Sequence, residues 1–518
     1  MNILDLTADG DDLETAWGDR SSVEGAWATV TRKNGIVTLK RDPWGLQTLY
    51  YRVIGNQLRV SPFLELISKD VLREHDKTAL AQALLFDSSD FERTFYPSIS
   101  AVAPGQTVFF DGTSIRKSNR ILPTADQEFE GEFSEAVDKW KRLLDESVVK
   151  KLLPFKKVGV FASGGLDSSG LMAVIASLIK SGRLNLEVKI YHLNFDVGPG
   201  HGQGVARHLA DTLGFGFYEV SPEDHHAQIN FNKSPDWKDL VFAPTFQFYE
   251  LLLKKAKQDN CEAVIFGYGA DEQLTPSYGY LSNFLRSGKW LKFLKNIFSL
   301  LKNQESPRIL ISAVVSSLLP QALQQWVVEN KKVKLIEPLA AEPVYQKVKI
   351  QMTRNWREIP NQINEFFRKQ MWIRNLSSGI AQSHKSFHEI LCRKWGVECV
   401  CPYVDADLIR FSQSLPLEFL KVDNHEKLLL RTVLEGRLED RIRLKEKFQD
   451  YTQFVDDWVR SQRAQFTEPT LLAEMGLVSL EKWKKQLAQP INQDNSDILL
   501  QIQFIENWLQ FQYPKESL

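Results

Sequence analysis

Cysteine is scarce in this sequence: Cys261, Cys392, Cys399 and Cys401 are the four among 518 residues, and none precedes position 261. They are too few and too late in the chain for a disulfide framework, which fits a reducing compartment. Cys399-x-Cys401 lies in a run that reads as a buried strand, so core packing is expected there rather than metal. Net charge is nearly absent: 64 Lys and Arg against 65 Asp and Glu leave −1, which offers no case for nucleic-acid binding. The opening MNILDLTADGDDLE lacks the basic start and apolar core of a signal peptide. The longest apolar run, Ile309–Leu319, carries three serines and is too short to span a bilayer. The expectation is a cytoplasmic chain with no membrane span and room for two or three domains.

What is present centres on Lys157–Met172, KVGVFASGGLDSSGLM. Val158-Gly159-Val160-Phe161-Ala162 is an apolar run of the kind that fills a central parallel strand. It breaks into Ser163-Gly164-Gly165-Leu166-Asp167-Ser168-Ser169, and a helix is expected over Gly170–Lys180. A strand, a glycine turn and a helix N-terminus make an anion site, because backbone N–H groups and the positive helix end converge there. The Gly-Lys-[Ser/Thr] ending of a Walker A loop is missing. The Ser-Gly-Gly-x-Asp-Ser run instead resembles the PP-loop of the ATP pyrophosphatases. The resemblance implies that Ser163, Gly164, Gly165, Leu166, Asp167, Ser168 and Ser169 bind ATP and hold the departing pyrophosphate.

A second apolar strand, Leu186–Phe195, leads into a glycine-rich loop and a helix over Val205–Leu213. A third strand, Ala263–Phe266, delivers Gly267-Tyr268-Gly269-Ala270-Asp271-Glu272. This order predicts a doubly wound parallel sheet with ligand at the carboxyl ends of its strands. His201, in the glycine loop, reads more readily as a solvated residue than as a ligand contact. The third-strand motif resembles the Ser-Gly-Glu-Gly-Ala-Asp-Glu of the asparagine synthetases. Related enzymes imply an adenine wall at Leu193 and Phe195, with Gly267 also at the nucleotide. Asp167 and Asp271 are then candidate Mg²⁺ ligands, since magnesium favours one or two carboxylates plus phosphates. Tyr268 stands where the asparagine synthetases carry glutamate, and Gly-Tyr-Gly-Ala-Asp resembles the β-lactam synthetases, whose tyrosine deprotonates the substrate amine. A phenol near pKa ~10 is a poor base unless cations lower that value or a carboxylate takes its proton. Tyr268 as base and Tyr268 as a shape or hydrogen-bonding residue both stand. Gln382 and Ser383 occupy the region where a partner acid would be sought, and Glu389 is the nearest acid.

The N-terminal part reads as an antiparallel meander with its first strand at WATVTRK, interrupted by a helix around Lys77–Phe86. Arg41-Asp42-Pro43-Trp44-Gly45, followed by Leu49-Tyr50-Tyr51, resembles the asparagine synthetases' Arg-Asp-x-x-Gly-x-x-x-Leu-Tyr-Tyr. That family's N-terminal domain is a glutaminase whose nucleophile is a cysteine next to the initiator methionine. Here position 2 is Asn2, and no thiol precedes Cys261, so glutamine hydrolysis is not expected.

The expected fold is therefore α/β. A degenerate Ntn-glutaminase-like β-rich domain (1–120) and a linker (121–133) precede a doubly wound parallel-sheet PP-loop synthetase domain of the adenine nucleotide α-hydrolase-like kind (134–518). Its C-terminal part is helical. Ser134 is expected to cap the first helix, with Val137, Trp140, Leu144 and Val148 facing the core. Leu291, Leu294, Phe298 and Leu301 form a stripe beside Lys289, Lys292, Lys295 and Lys302. It reads as a core helix with a basic solvated face, or less readily as a surface for membranes or acidic partners. His384 and His388 share a helix face but show no third ligand. Arg443-Leu444-Lys445-Glu446-Lys447-Phe448 resembles the family's Arg-x-Lys-x-x-Phe, which implies Lys445, or alternatively Lys447, at the phosphates and adenylate.

The resemblance implies ATP and Mg²⁺ as cofactors, carboxylate activation as an acyl-adenylate, and amide formation by an amine other than glutamine's. Among glutamine-independent relatives a lasso-peptide cyclase fits best, with a precursor peptide and a leader peptidase as partners. A β-lactam synthetase-like cyclase, an ammonia-using asparagine synthetase and a non-catalytic nucleotide-binding partner remain open.

Overall fold

The computed structural model describes residues 3–18, 27–71, 75–85, 90–120, 129–194, 202–220, 246–275, 281–286, 288–302, 311, 379–422, 425–445, 456–457, 459–461, 463–491 and 493–512. Phe195, His201 and Lys447 lie outside these residues, as do the side chains of Gln382, Ser383 and His384.

The N-terminal strands are β1 (Leu4–Thr7), β2 (Leu13–Gly18), β3 (Trp27–Lys33), β4 (Ile36–Arg41), β5 (Tyr50–Ile54), β6 (Gln57–Ser61), β7 (Ser100–Ala101), β8 (Thr107–Phe110) and β9 (Ile115–Lys117). They form two antiparallel sheets, ordered β1-β6-β5-β7 and β2-β3-β4-β8-β9, rather than one meander. Two strands, β1 and β2, also precede the expected first strand at Trp27. Alternating burial explains the pairing of the sheets. Leu6, Leu58 and Val60 of one and Val30, Leu39 and Val108 of the other close a shared core. The helix α1 (Lys77–Leu84) starts where expected, capped by Asp76, whose carboxylate accepts from Thr78 and Ala79 N–H.

The helix α2 (Phe133–Leu152) follows. Its N-cap is Glu132, not Ser134, and Glu135 turns back to accept from the Glu132 N–H at 3.2 Å. Trp140, Leu144 and Val148 are fully buried on its inner face. The central sheet comprises β10 (Lys157–Phe161), β11 (Glu187–Leu193), β12 (Gly216–Val220), β13 (Ala263–Ile265) and β14 (Glu398–Val400), all parallel, in the order β12-β11-β10-β13-β14. Val158, Val160, Ile190 and Ile265 face one core with α2, α3 (Leu166–Lys180) and α4 (Gly202–Leu213). Phe161, Tyr191 and Val264 face a second core with α5 (Phe246–Gln258), α8 (Gly379–Trp395) and α10 (Gln493–Gln512). Burial on both faces is why these strands read as continuous apolar runs. The sheet is doubly wound, and its order reverses at β10, which puts the crevice for ligand at the carboxyl ends of β10 and β13.

The second core extends into the N-terminal region through Trp44, Leu46, Leu80 and Leu84. Gln501 Nε2 also donates to the Ala83 carbonyl at 2.9 Å. Cys392 and Cys401 pack in this core as buried free thiols, with Cys399 half-buried beside them. One expected core face is overturned. In α7 (Trp290–Lys302) it is Phe293, Ile297 and Leu300 that pack inward, while Leu291, Leu294, Phe298 and Leu301 point to solvent. Among the described residues no helix is long and apolar enough to cross a membrane.

Candidate active site

The loop after β10 is shorter than its composition suggests. The helix α3 begins at Leu166 with Gly165 as N-cap, so Asp167, Ser168 and Ser169 belong to its first turn and not to the loop. Serine and aspartate suit this turn because free N–H groups are there to satisfy. The turn holds itself in shape. The Ser168 hydroxyl accepts from Ser163 N–H at 3.2 Å and lies 3.3 Å from the Gly165 carbonyl, while Ser163 Oγ accepts from Gly165 N–H at 3.2 Å. The N–H groups of a helix start, framed by hydroxyls, form a ready phosphate cradle.

A second loop presses on this one from β13. A Cβ on Gly267 would stand 3.2 Å from Ser168 N and 3.3 Å from Asp167 Cβ, so glycine lets the two loops approach without either giving way. Gly269 takes φ 105°, and a side chain there would run into Val404 and Tyr403. The short helix α6 (Ala270–Leu274) then starts, carrying Asp271 and Glu272 in its first turn.

Asp167 and Asp271 therefore meet, and one cation joins them. Lys427 Nζ donates to both Asp167 carboxylate oxygens at 2.7 Å and to Asp271 Oδ1 at 2.6 Å. Lys427 sits in a left-handed turn, φ 57°, ahead of α9 (Leu428–Val433). Burial pushes Asp167 up to about 6 despite Lys427, with Asp271 adding to the rise. Partial desolvation acts the same way on Asp271, but Lys427 and the Thr275 hydroxyl outweigh it and hold that carboxyl below its ordinary value. Burial also works against the Lys427 ammonium, yet the two carboxylates win and keep it charged. Burial raises the neighbouring Glu272 to about 7, although it accepts from Gly269 N–H at 2.9 Å.

Lys445 follows this segment closely in sequence and is partly exposed. Its stretch is tied to the Lys427 turn by Arg431, which donates to the carbonyls of Glu426 and Arg443. The cation that reaches the two aspartates is Lys427, the first residue of Lys427-Leu428-Leu429-Leu430-Arg431, to which the sequence alone assigned no role at the site.

Tyr268 lies on the other side of Gly267, its ring stacked on His388 with centroids 6.4 Å apart. His388 also abuts Phe266 at 4.1 Å and Tyr249 at 5.8 Å, so it is enclosed by aromatic rings. Burial, then the Glu272 carboxylate, the neighbouring Cys401 and the Glu389 carboxylate, hold the Tyr268 phenol well above its ordinary value. Two carboxylates act on it, Glu272 and Glu389, and the latter is the acid nearest the Gln382–Ser383 region.

At the carboxyl end of β11, Leu193 is buried. His192 and Asn194 flank it on the opposite face. His192 Nδ1 meets the Ala162 carbonyl at 2.6 Å, just ahead of the Ser163 loop. His192 Nε2, Asn194 Oδ1 and Ser169 Oγ are buried without a hydrogen-bond partner. Orphaned polar atoms at the carboxyl edge of a parallel sheet suit a polar ligand. The donor set, Asp167 and Asp271 meeting beside a helix start, suits magnesium too. A pair of carboxylates beside a phosphate cradle is the partial cage that magnesium accepts.

Residues 139–510 match the family described as asparagine synthase. The chain belongs to the asparagine synthase family. Among relatives of this asparagine synthase-family chain, the amidase chry2 of Gibberella zeae is 26% identical over 251 residues, covering 45% of this chain and 36% of that protein. The glutamine-hydrolyzing asparagine synthetase 3 of Bacillus subtilis is 20% identical over 464 residues, covering 85% of this chain and 70% of its own. The chain thus spans about a third of the length of its amidase relative, 36%. Among solved structures, the NMN synthetase of Francisella tularensis matches 45% of this chain and 100% of its own at 18% identity, with a TM-score of 0.20.

Proposed function

We propose that this chain is an ATP-dependent C–N ligase that activates a carboxylate as its adenylate and then closes an amide, releasing AMP and pyrophosphate. The observation that carries the reading is the convergence of Asp167, Asp271 and Lys427 on the helix start at Leu166. Ser163–Ser169 would cradle the departing pyrophosphate, with Leu193 and Phe195 against the adenine and Gly267 at the nucleotide. Asp167 and Asp271 would hold Mg²⁺, which supplies charge neutralisation at the leaving phosphates. Lys427 and Lys445 would add fixed positive charge where negative charge develops.

Residues 1–120 would be a glutaminase-like domain without its chemistry, joined through 121–133 to a synthetase domain over 134–518. Two features of the sequence favour an amine that belongs to the substrate. No cysteine precedes Cys261, so these residues contain no thiolate for glutamine hydrolysis. Tyr268 replaces the glutamate of the asparagine synthetases, and carboxylates stand ready to take its proton. The finer reading is macrolactam closure of a lasso-type precursor freed of its leader by a peptidase. ATP–pyrophosphate exchange with the cognate peptide, followed by a ring product 18 Da lighter than the linear core (one water lost), tests it. Release of ADP instead of AMP overturns the adenylate. Exchange with aspartate and ammonia alone returns the chain to ordinary asparagine synthesis.

A further inference from the structure

The helix α7 (Trp290–Lys302) carries two apolar stripes at helical spacing, and only one of them is used. Phe293, Ile297 and Leu300 pack on the core around β10 and α3. Leu291, Leu294, Phe298 and Leu301, at i, i+3, i+7 and i+10, are 85%, 47%, 69% and 40% exposed, and Trp290 beside them is 61% exposed. Five large apolar side chains on one face, over a helix about 20 Å long, form a patch rather than scattered surface residues.

The charges carried by the helix and its N-terminal flank are of one sign. Residues 281–302 contain Arg286, Lys289, Lys292, Lys295 and Lys302 and no aspartate or glutamate. Lys295 follows Leu291 by four residues, on the flank of the exposed stripe. One acid from elsewhere approaches: Glu418 pairs with Lys292 at 2.8 Å.

We propose that this face is a docking surface for an anionic phospholipid bilayer. The helix would lie in the headgroup plane, with Trp290, Leu291, Leu294, Phe298 and Leu301 in the acyl boundary and the lysines on the phosphates. Such a helix needs an apolar face with tryptophan or phenylalanine, a lysine-rich flank, and no spanning length, all of which α7 has. Two other occupants fit less well. A second copy of this chain docking by the same face would bring two predominantly basic surfaces together. Among the described residues this face is a ridge on one helix, not the groove or sheet edge by which peptides are held.

The test is co-sedimentation of the full chain with vesicles of phosphatidylcholine alone and of phosphatidylcholine with phosphatidylglycerol. Partition onto the anionic vesicles is expected to be at least about tenfold stronger, given several lysines near the surface. It should fade at about 0.5 M salt. Leu291→Asp and Phe298→Asp should each remove most of the binding while thermal unfolding stays at the wild-type midpoint, since both positions face solvent. Equal partition onto both vesicles, no partition, or binding that these variants leave intact overturns the proposal. A wild-type dimer in sedimentation that Leu291→Asp dissociates would assign the face to a second copy instead.

Discussion

Lys427 and Asp167, which lie 260 positions apart in sequence, form a two-pronged ion pair, with Nζ 2.7 Å from each carboxylate oxygen. Asp271 shares the same ammonium at 2.6 Å. Two carboxylates at one site repel, and the pair would hold a single proton between them without a cation. Lys427 is therefore part of what lets the Gly267 loop and the first turn of α3 close on each other. The Tyr403 hydroxyl adds a neutral brace, donating to the Asp167 carbonyl at 3.1 Å.

Replacing the lysine leaves Asp167, largely buried, facing Asp271, whose carboxylate is mostly exposed. Lys427→Met should lower thermal stability by about 3 kcal/mol, the usual cost of stripping one partner from a buried pair. ATP–pyrophosphate exchange should fall by about a hundredfold or more if the ammonium also serves the phosphates. Unfolding in urea and the exchange assay check the two arms separately. A variant that loses stability but keeps full exchange would confine Lys427 to the scaffold.

Gly267→Ala probes the approach of the two loops. The new Cβ would stand 3.2 Å from Ser168 N, a backbone atom that moves only if the cradle moves with it. Displacing a catalytic cradle by a few tenths of an ångström should cost about tenfold or more in exchange rate, because positioning carries much of phosphoryl chemistry. Stability should change by only about 1 kcal/mol, as for a modest overpacking. Unchanged exchange at wild-type ATP affinity would show that the loops tolerate separation.

Much of this site was legible in the residues, and the limits of that legibility are physical. The apolar run Val158–Ala162 and the glycine and serine spacing after it sufficed for the strand, the turn and the helix. The helix start was misplaced by four positions because Asp167, Ser168 and Ser169 look like loop residues, although their side chains are at home on a helix N-terminus. Lys427 stood out only as the start of Lys427-Leu428-Leu429-Leu430-Arg431, a run in the family's order, and its place at Asp167 could not be read from it: a lysine in a left-handed turn is set there by tertiary contacts, not by any spacing to Asp167. The stripe Leu291–Leu301 had the right period but not its direction. Phe293, Ile297 and Leu300 share that period, and only the packing of α7 decides which face turns inward.

His192 offers a check through pH. Burial holds its imidazole below the ordinary histidine value, against the opposing pull of the Ala162 carbonyl. The unfolded chain therefore binds a proton near pH 6.5 that the folded chain resists, so stability should be intact above that pH and decline as pH falls below it. Urea unfolding at about pH 7.5 and pH 5.5 should show a larger loss for the wild type than for His192→Asn. A variant with the same decline would place the acid sensitivity elsewhere.

Tyr268 separates the two halves of the proposed reaction. The phenol is held neutral by burial and by Glu272, Cys401 and Glu389, so it can act as a base only by handing its own proton onward as it takes one from the amine. Tyr268→Phe should leave adenylate formation, read as ATP–pyrophosphate exchange, within about threefold of wild type. It should cut amide formation by about a hundredfold to ten-thousandfold, the range for loss of a general base. Glu389→Gln should follow the same pattern to a smaller extent if it is the proton's destination. If Tyr268→Phe closes the amide at the wild-type rate, the ring serves only to pack against His388. If it loses exchange as well, its place is at the nucleotide and not at the amine.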